Sequence, residues 1–332
     1  MITIRRYTPQ DAPLWDSFVC NSKNGTFMLQ RGFMDYHAER FVDFSLFFWD
    51  DAKLIALLPL NLKDNRVFSH GGLTYGGLIF GAKTKQKKVL ECFATLVNFL
   101  KENGISELYY KKIPAIYTAQ PADEDLYALW ANGGKLLKME ASSAVFLPEL
   151  LVASELKRRI ARGARENVIF EESTNFEEFC ALLAEVLKKR HSANPVHSAA
   201  ELKLLHARFP QNIALFVAKI AGKMAAGALL FIYPQLVHTQ YLAANDAARQ
   251  KGALDLVIST LITKFQKEKR YFDFGISTEN DGKFLNEGLI AQKEGFGART
   301  VNYETWVLEI FWKIHGEREF FWKFFTVDRG KN

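Results

Sequence analysis

Two stretches of this chain share one pattern, and that pattern decides the fold. Residues 44–60 read FSLFFWDDAKLIALLPL, and residues 213–231 read IALFVAKIAGKMAAGALLF. Each has two runs with strand periodicity around a short polar turn, which is the pattern of a β-hairpin. Each is followed by a histidine-containing segment expected to be a strand, then by an amphipathic helix and an aromatic strand. The copies lie roughly 170 residues apart, so one supersecondary plan is used twice.

The repeated elements predict a mixed α/β (α+β) fold. Period-two alternation predicts strands at Phe44–Trp49, Leu54–Leu60, Ile213–Lys219 and Ala225–Tyr233. Helical periodicity predicts helices at Lys88–Glu102, Phe176–Arg190, Ala199–Ala207 and Gly252–Lys267. Between the copies, at Ala141–Glu155, a strand-like run meets a charged helix. We therefore expect two domains, residues 1–150 and 151–332, each with a mixed central sheet flanked by helices.

The composition excludes several classes of protein. Of the 332 residues, 48% are apolar, which is too many for a disordered chain, and the length exceeds what one core usually fills. The three cysteines lie far apart in the sequence, so we expect neither a disulfide framework nor a cysteine-based zinc site. Lys and Arg number 43 against 37 acidic residues, which favours an anionic small ligand over dedicated nucleic-acid binding. No apolar run approaches the roughly 18–20 residues of a membrane span, so we expect a cytoplasmic protein.

The sequence before the second amphipathic helix has the composition of a phosphate-binding loop. It reads Arg249-Gln250-Lys251-Gly252-Ala253-Leu254. The first backbone N–H groups of a helix are unpaired donors at the positive end of its dipole, and they bind anions. Glycine permits close backbone approach at such a loop, and the two cations add charge. A helix N-terminus with solvated cations is the alternative interpretation.

This loop and four further phrases resemble the tandem form of the GNAT acyltransferase superfamily, which includes FemAB-like proteins and nucleotide-sugar N-acyltransferases. The phrases are GGLTYGGLI at 71–79, SELKRRIARGAREN at 154–167, YFDFGIST at 271–278 and LNEGLIAQKEGFGAR at 285–299. Each phrase is a weak signal alone, but their order along the chain makes the resemblance specific. The resemblance implies two GNAT-like domains in tandem, with acyl-CoA held by the second.

The resemblance also implies how the second half would hold acyl-CoA. The loop would hold the pyrophosphate, and the strand at 236–245 would splay from its neighbour, so that its free backbone groups pair with the pantetheine amides. A backbone N–H near Leu242 or Ala243 would polarise the thioester carbonyl. The expected cofactor-binding residues are Leu242, Ala243, Ala244, Arg249, Gln250, Lys251, Gly252 and Ala253.

The candidate catalytic residues lie on or beside that strand. An amine nucleophile must lose a proton before it attacks, and His238, Asp273 and Glu279 are the candidate bases. The pKa range of histidine suits this role, although His238 is equally expected as a hydrogen-bonded core residue. Asp273 alternates with aromatic residues, so its side chain is expected on the opposite face, where it could also be a structural acceptor. For Glu279 a helix-capping role competes.

Two positions depart from the superfamily pattern. Leu254 stands where a small residue is usual, and Ala291 stands where many members have a tyrosine that protonates the leaving thiolate. Tyr241 and Tyr303 are the candidate replacements, and a proton taken from the amine or from water is the other possibility. Both departures are compatible with a degenerate GNAT pair that binds ligands without turnover.

The acceptor is expected in the cleft between the two halves. SHGGLTYGGL at 69–78 surrounds a tyrosine with four glycines, so its backbone can approach a ligand; a bent strand is the alternative. KKRHSANPVHSAAE at 188–201 is a polar loop whose histidines suit hydrogen bonds to a sugar or phosphate better than a metal site. The expected acceptor-binding residues are His70, Gly71, Tyr75, His191, Asn194 and His197.

Two segments keep more than one interpretation. Arg158, Arg162 and Arg165 share one face of a helix, where they could bind a nucleotide diphosphate, the acceptor stem of a tRNA or only water. The aromatic and basic tail at 310–327 favours docking on the protein body over contact with a membrane.

The resemblance implies an acyl-CoA-dependent N-acyltransferase that uses no metal. Its acceptor would be the amino group of a dTDP-linked aminodideoxy sugar for surface polysaccharide, and the acyl group would be acetyl or hydroxybutanoyl. A Fem-like transferase that takes an amino acid from a charged tRNA is the alternative. Many members of that branch carry a long helical arm, and the sequence has no unbroken charged heptad run.

Overall fold

The computed structural model describes residues 1–191 and 194–310, and it confirms the mixed α/β class. The strands are β1 (Ile2–Arg6), β2 (Val42–Asp43), β3 (Leu46–Asp50), β4 (Lys53–Leu58), β5 (Asn61–Lys63), β6 (Arg66–Phe68), β7 (Ile79–Phe80), β8 (Glu107–Lys111), β9 (Lys135–Phe146), β10 (Ile169–Ser173), β11 (Ile213–Ile220), β12 (Lys223–Ile232), β13 (Leu236–Ala244), β14 (Tyr271–Ile276), β15 (Thr278–Glu279), β16 (Phe284–Leu285) and β17 (Arg299–Glu309). The α-helices are α1 (Ala12–Asn21), α2 (Arg31–Met34), α3 (Gln86–Glu102), α4 (Glu124–Ala131), α5 (Ala153–Arg165), α6 (Phe176–His191), α7 (Ala199–Arg208), α8 (Asp246–Gln250), α9 (Ala253–Phe265) and α10 (Glu287–Glu294). Short 3-10 helices lie at Pro9–Asp11, Phe27–Leu29, Asp35–Arg40 and Ala115–Tyr117.

One sheet runs through both halves of the molecule. Among the described residues it has 11 strands in the order β10-β11-β12-β13-β14-β9-β17-β8-β6-β5-β2, beside a four-stranded sheet in the order β1-β3-β4-β7. The two halves contribute matching antiparallel runs, β1-β3-β4-β7 and β10-β11-β12-β13. Each half also has one parallel pair, β6 with β8 and β13 with β14. The repeat read from the sequence is therefore present in three dimensions.

The last strand of each half is exchanged with the other half. β9, which precedes residue 150, pairs with β14, and β17 from the chain's end pairs with β8. β9 and β17 also pair with each other, so they form the centre of the large sheet. The division at residue 150 stays a prediction, because hydrogen bonds of the sheet cross it in both directions.

All eight strands and helices predicted from periodicity are present, with ends shifted by a few residues. One associated expectation is wrong. His70 does not lie on a strand: β6 ends at Phe68, and His70 has φ +55 in the turn that follows. The glycine-rich segment 71–77 turns the chain there, and pairing resumes only at β7.

Helices α5 and α9 cover the back of the second half. The buried side of α9 includes Leu256, Val257, Leu261 and Ile262, which pack in one core cluster with β12 and β13. A Cβ atom at Gly163 of α5 would lie 2.8 Å from the Leu256 Cβ, so glycine is required for the two helices to approach this closely. This packing fixes the N-terminus of α9 beside the basic face of α5.

Within residues 1–191 and 194–310, none of the helices combines the length and apolar character needed to cross a bilayer. The aromatic tail begins at the last described position, and its residues from 311 onward lie outside the described residues. The same holds for the side chain of His191.

Candidate active site

The parallel strands β13 and β14 separate partway along their length. Their ladder begins at Leu236 and Tyr271 and stops at the pair His238 and Asp273. Beyond that pair β13 stays bonded to β12 as far as Ala244, and on its other side residues 239–244 have no strand partner among the described residues. Backbone groups on that edge are therefore available to a ligand.

A tight turn connects the end of β13 to α9. Asn245 caps the short helix α8, and its side chain accepts a hydrogen bond from the Ala248 N–H at 2.9 Å. Gly252 then adopts φ +66, a left-handed conformation that L side chains rarely reach, and is the N-cap of α9. Arg249 and Gln250, which were expected in the loop before this helix, end the short helix α8 instead. Only the last part of the predicted loop faces the N-terminus of α9.

A guanidinium group lies against this turn. Arg162 Nη2 donates to the Gln250 carbonyl at 3.0 Å, and a Cβ at Gly252 would lie 3.5 Å from the Arg162 Cζ. Lys251 Nζ is 3.7 Å from Glu166 Oε2. Of the arginines predicted to share one face of α5, Arg162 therefore contacts the turn, whereas Arg158 is bonded to Glu155 on its own helix. The turn therefore brings the side chains of Arg162 and Lys251 close to the N-terminus of α9, and its role in phosphate binding stays a prediction.

A cavity of about 420 Å³ lies where the strands separate. Its walls come from the end of β13, the turn, the first turn of α9, β14, α10 and the end of α6. Lining residues include Leu242, Ala244, Arg249, Gly252, Leu254, Ile258, Phe274, Lys293 and Phe296. Leu254, the first departure from the superfamily pattern, contributes an apolar wall of this cavity. Most of its lining is apolar, which suits the alkyl part of an acyl carrier.

The carboxylate of Asp273 is the most heavily hydrogen-bonded acidic group at this site. Its exposed fraction is 0%. Oδ2 accepts from Tyr117 Oη and Tyr303 Oη, each at 2.7 Å, and lies 2.7 Å from His238 Nδ1. Oδ1 accepts from Ser142 Oγ at 2.9 Å and from the backbone N–H two residues further along. The neighbouring phenylalanines of β14 belong to the core around α9, so the predicted orientation of Asp273 is confirmed.

Asp273 remains ionised although it is buried. Burial raises its pKa, but the hydrogen bond and charge of His238 and the hydrogen bonds of Tyr303 and Tyr117 outweigh burial and lower it to about 2. Burial and the Asp273 charge raise the pKa of Tyr117 and Tyr303 well above that of free tyrosine, so both stay protonated donors. Since the carboxylate can only accept, His238 Nδ1 carries the hydrogen, and Nε2 is the nitrogen left to act as a base.

Lys293 lines the cavity, and the charge of Asp273 acts on its ammonium group. It is 6% exposed, and its Nζ donates to the carbonyls of Gly275 and Ile276 at 2.8 and 2.6 Å. Burial lowers its pKa to about 8, against the opposing charge of Asp273. Gly275 has φ +75, and a Cβ there would lie 3.2 Å from the His238 ring. A cation that lines the cavity and releases a proton near neutral pH can act as a general acid.

Two predicted catalytic residues lie elsewhere. The Tyr241 hydroxyl is 2.6 Å from His197 Nδ1, so it pairs with a residue predicted to bind the acceptor and not with Asp273. Glu279 is exposed on the β15–β16 hairpin and accepts from Asn286 Nδ2 at 2.8 Å. Asn286, and not Glu279, is the N-cap of α10, so Glu279 contacts the capping side chain without capping the helix itself.

The predicted acceptor residues divide into three groups. His70 and His197 are buried, and burial lowers their pKa to about 3 and about 4, so both imidazoles are neutral. The Gly71 N–H donates to Asn61 Oδ1 at 2.6 Å beside them. Tyr75 is 1% exposed and packs against Tyr117 in the core, with its hydroxyl bonded to a threonine, so it supports the site from behind. Asn194 is exposed at the start of the segment before α7. Their roles stay predictions.

Sequence reasoning assigned no role to Tyr117, Ser142 or Lys293. Lys293 carried a signal, because it lies in the run from Ile290 to Phe296 that resembles the superfamily. Tyr117 and Ser142 carried none, since they lie more than a hundred residues from Asp273 and reach it only through the exchanged strand and the loop after β8. Within the described residues, no group of three or more His, Cys, Asp or Glu side chains is arranged to hold a metal.

Comparisons with known proteins agree with this geometry. Residues 152–282 match the acetyltransferase (GNAT) domain family. No curated protein sequence matches the chain. Among solved structures, FemX has a TM-score of 0.63 at 12% identity, over 91% of this chain and 96% of its own. L-PGS from Bacillus licheniformis has a TM-score of 0.61 at 14% sequence identity, and the match covers 96% of each chain. A tandem GNAT protein from the clavulanic acid biosynthesis pathway has a TM-score of 0.53 at 12% sequence identity, and the match covers 94% of this chain and 100% of its own. The chain therefore contains a GNAT domain within a fold similar to that of a tandem GNAT protein.

Proposed function

We propose that this protein is an acyl-CoA-dependent N-acyltransferase that acts on the amino group of a nucleotide-linked amino sugar. One observation carries the proposal. A single cavity extends from the left-handed turn at Gly252, along the unpaired edge of β13, to Lys293 beside the buried Asp273. The match of residues 152–282 to the acetyltransferase (GNAT) domain supports acyl transfer as the reaction class.

In the proposed reaction the chain binds the donor mainly through its backbone. The turn and the first N–H groups of α9 bind the pyrophosphate, with Arg162 and Arg249 supplying charge. The free edge of β13 bonds the pantetheine amides, and the N–H of Leu242 or Ala243 donates to the thioester oxygen as negative charge develops on it.

The side chains then handle two protons. His238 Nε2 accepts the proton of the attacking amine, while Asp273 stabilises the resulting imidazolium through Nδ1. A C–N bond forms and the C–S bond breaks. The ammonium of Lys293 gives a proton to the departing thiolate. Lys293 thereby takes the role of the tyrosine that many superfamily members have where this chain has Ala291. Both proton positions are restored when the imidazolium and the lysine exchange protons with water.

The proposal is tested by thiol release. Purified protein is mixed with acetyl-CoA and amino sugars, free and linked to dTDP or UDP, and free thiol is measured with a chromogenic disulfide. We expect release that depends on a nucleotide-linked amino sugar and is absent with the corresponding hydroxy sugar. Thiol release that is the same with and without any amine contradicts the proposal. Coenzyme A binding without turnover favours the degenerate pair.

A second donor, an aminoacyl-tRNA, is favoured by a specific surface feature. Arg158 and Arg165 are exposed on α5, the helix whose Arg162 contacts the turn, and they are not needed to hold a pyrophosphate there. A basic helix leading to the cavity would suit the phosphates of an acceptor stem. Under this alternative, amino acid transfer depends on charged tRNA, ribonuclease abolishes it, and coenzyme A does not compete.

A further inference from the structure

A row of polar side chains crosses three adjacent strands beside the Asp273 site. Thr305 of β17 pairs with Lys111 of β8 on one side and with Lys138 of β9 on the other. Paired residues on neighbouring strands project to the same face of a sheet. The three residues, here called the lysine row, are partly exposed.

The lysine row lies on the same face as the catalytic candidates. Tyr303, whose hydroxyl bonds Asp273, is two positions before Thr305 on β17 and pairs with Glu140 of β9. Side chains two apart on a strand share a face and are separated by about 7 Å. These residues therefore share one face of the sheet, on which Asp273 and Tyr303 are buried and Glu140 and the lysine row are partly exposed.

An aromatic pair follows one step further along this face. Tyr109 is two positions before Lys111 on β8 and pairs with Phe68 of β6. The two rings are stacked, with centroids 4.7 Å apart and planes inclined by 16°, and both are partly exposed. Aromatic side chains at such an exposed edge bind planar bases by stacking, worth about 1–3 kcal/mol per base.

The charges of the row suit a ligand with negative groups. Lys111 Nζ has one hydrogen-bond acceptor among the described residues, the Leu73 carbonyl. Burial, together with the nearby charge of Lys138, lowers the pKa of Lys111 to about 8, so an anion between the two ammoniums would relieve their repulsion. Lys138 Nζ lies 3.0 Å from Glu140 Oε1 and 3.6 Å from Asp281 Oδ1. Glu140, next to Tyr303, can accept hydrogen bonds from sugar hydroxyls.

We propose that this face binds the nucleoside diphosphate of the acceptor, with the diphosphate between Lys111 and Lys138 and the base against Phe68 and Tyr109. The sugar then lies at Tyr303, with its amino group directed towards the His238–Asp273 pair. The aromatic pair, the lysine row and Tyr303 thus follow one another along the face in the order of base, diphosphate and sugar in a nucleotide-linked sugar. This inference rests on the proposed function, and it assigns the acceptor to the first half of the molecule's sheet and the donor to the second.

The test is a set of binding measurements by titration calorimetry, with thymidine diphosphate and inorganic pyrophosphate as probes of this face. Lys138→Met, on the surface, is expected to weaken binding of both probes at least tenfold. Lys101→Met is the matched control, since Lys101 is exposed on helix α3 and not on the sheet, and its effect is expected to stay within twofold. Phe68→Ala is expected to weaken thymidine diphosphate but not pyrophosphate.

Coenzyme A binding separates failure of this inference from failure of the proposed function. Gly252→Val is expected to weaken coenzyme A binding at least tenfold and to leave thymidine diphosphate binding unchanged, and Lys138→Met is expected to do the reverse. If coenzyme A binds normally and Lys138→Met affects neither probe, this inference is wrong, while the proposed function is not contradicted. Probes that compete with coenzyme A and are lost in Gly252→Val also overturn it, because they then bind the donor turn. Absence of coenzyme A binding contradicts the proposed function whatever the probes do.

Lys111→Met extends the test to the second lysine of the row. Methionine has a similar length and no charge, so the variant keeps the packing of β8, and its thermal midpoint checks that it is folded. A loss of probe affinity similar to that of Lys138→Met is expected. A folded Lys111→Met protein with unchanged affinity would limit the site to Lys138 and overturn the two-lysine arrangement.

Discussion

The third pair of the parallel ladder differs between the two halves of the molecule. In the second half it is His238 and Asp273, and in the first half it is Phe68 and Tyr109. The backbone arrangement is the same, with three parallel pairs in each half. One pair carries an ionised, hydrogen-bonded carboxylate, and the other carries two stacked rings. The comparison teaches that the repeated backbone supplies a position, while the side chains at that position decide its chemistry.

The backbone of the turn before the long helix, α9 in the second half and α3 in the first, also differs between the two halves. Gly252 precedes α9 with φ +66, whereas Lys85 precedes α3 in an extended conformation, with φ −106. In the first half the space beside β7 is crossed by Tyr110, whose hydroxyl bonds the Leu78 N–H at 2.5 Å. The donor features, a left-handed glycine and a cavity lined by both this glycine and Lys293, occur together in the second half.

The largest expected effect comes from the two buried aspartates that accept from tyrosine. Asp273→Asn removes the charge that stabilises an imidazolium at His238, so kcat for thiol release is expected to fall by about 10²–10⁴. Asp125, in the first half, is 1% exposed and accepts from Tyr110 Oη at 2.6 Å. Asp125→Asn is the matched control, and its kcat is expected to stay within about twofold. Equal losses in both variants would mean that Asp273 has only a structural role.

The next effect concerns two glycines with left-handed backbones. Gly252→Val forces a β-branched residue into φ +66, which costs about 1–2 kcal/mol and moves the turn, so KM for acetyl-CoA is expected to rise at least tenfold. Gly104 follows α3 with φ +72 and has nothing within 4 Å of its Cβ position. Gly104→Val is therefore expected to cost similar stability with KM unchanged. Steady-state kinetics measure KM for acetyl-CoA, and thermal midpoints measure the stability of each variant. If KM were the same in the two variants, the turn at Gly252 would not be part of the donor site.

The same two aspartates are expected to give opposite pH dependences of stability. Burial raises the pKa of Asp125 from 3.8 to about 6, so between these values the native state binds more protons than the unfolded chain. The free energy of unfolding of the wild type relative to Asp125→Asn should therefore fall by about 2–3 kcal/mol as pH rises from 3.8 to 6.

For Asp273 the sign reverses. Its pKa is lowered from 3.8 to about 2, so the unfolded chain binds more protons in that interval. The free energy of unfolding relative to Asp273→Asn should rise by about 2 kcal/mol from pH 2 to 3.8 and stay constant above it. Urea titrations at several pH values measure both differences. Slopes of the same sign for the two variants would contradict the contrast between the halves.

The smallest expected effect distinguishes the two turns by charge. Lys251 is partly exposed beside Gly252, and Lys83 is exposed in the corresponding turn before α3. A single exposed charge contributes about 0.2–1 kcal/mol, so Lys251→Ala should raise KM for acetyl-CoA about two- to fivefold. Lys83→Ala should leave KM unchanged. An equal rise in both would mean that long-range charge, and not contact at the turn, attracts the donor.

The sequence predicted the elements well because they depend on local patterns. Alternation at Ile213–Lys219 and helical periodicity at Lys88–Glu102 require only neighbouring residues, and both elements are present. The expectation for His70 was wrong because β6 ends at Phe68 and the backbone already turns at His70, which has φ +55. The turn at Gly252 was located correctly, but the separate helix α8 was not foreseen, since its cap at Asn245 was not recognised.

By itself, then, the sequence determined a doubled α/β plan, the position of the glycine before α9 and the orientation of Asp273, because periodicity and glycine chemistry act over a few residues. Only the tertiary structure decided that the halves exchange their last strands, and that Tyr117 and Ser142 complete the hydrogen bonds of Asp273. It also brought Lys111 and Lys138 to either side of Thr305. These contacts join residues distant in the chain, and their formation depends on the register of strands that no local pattern specifies.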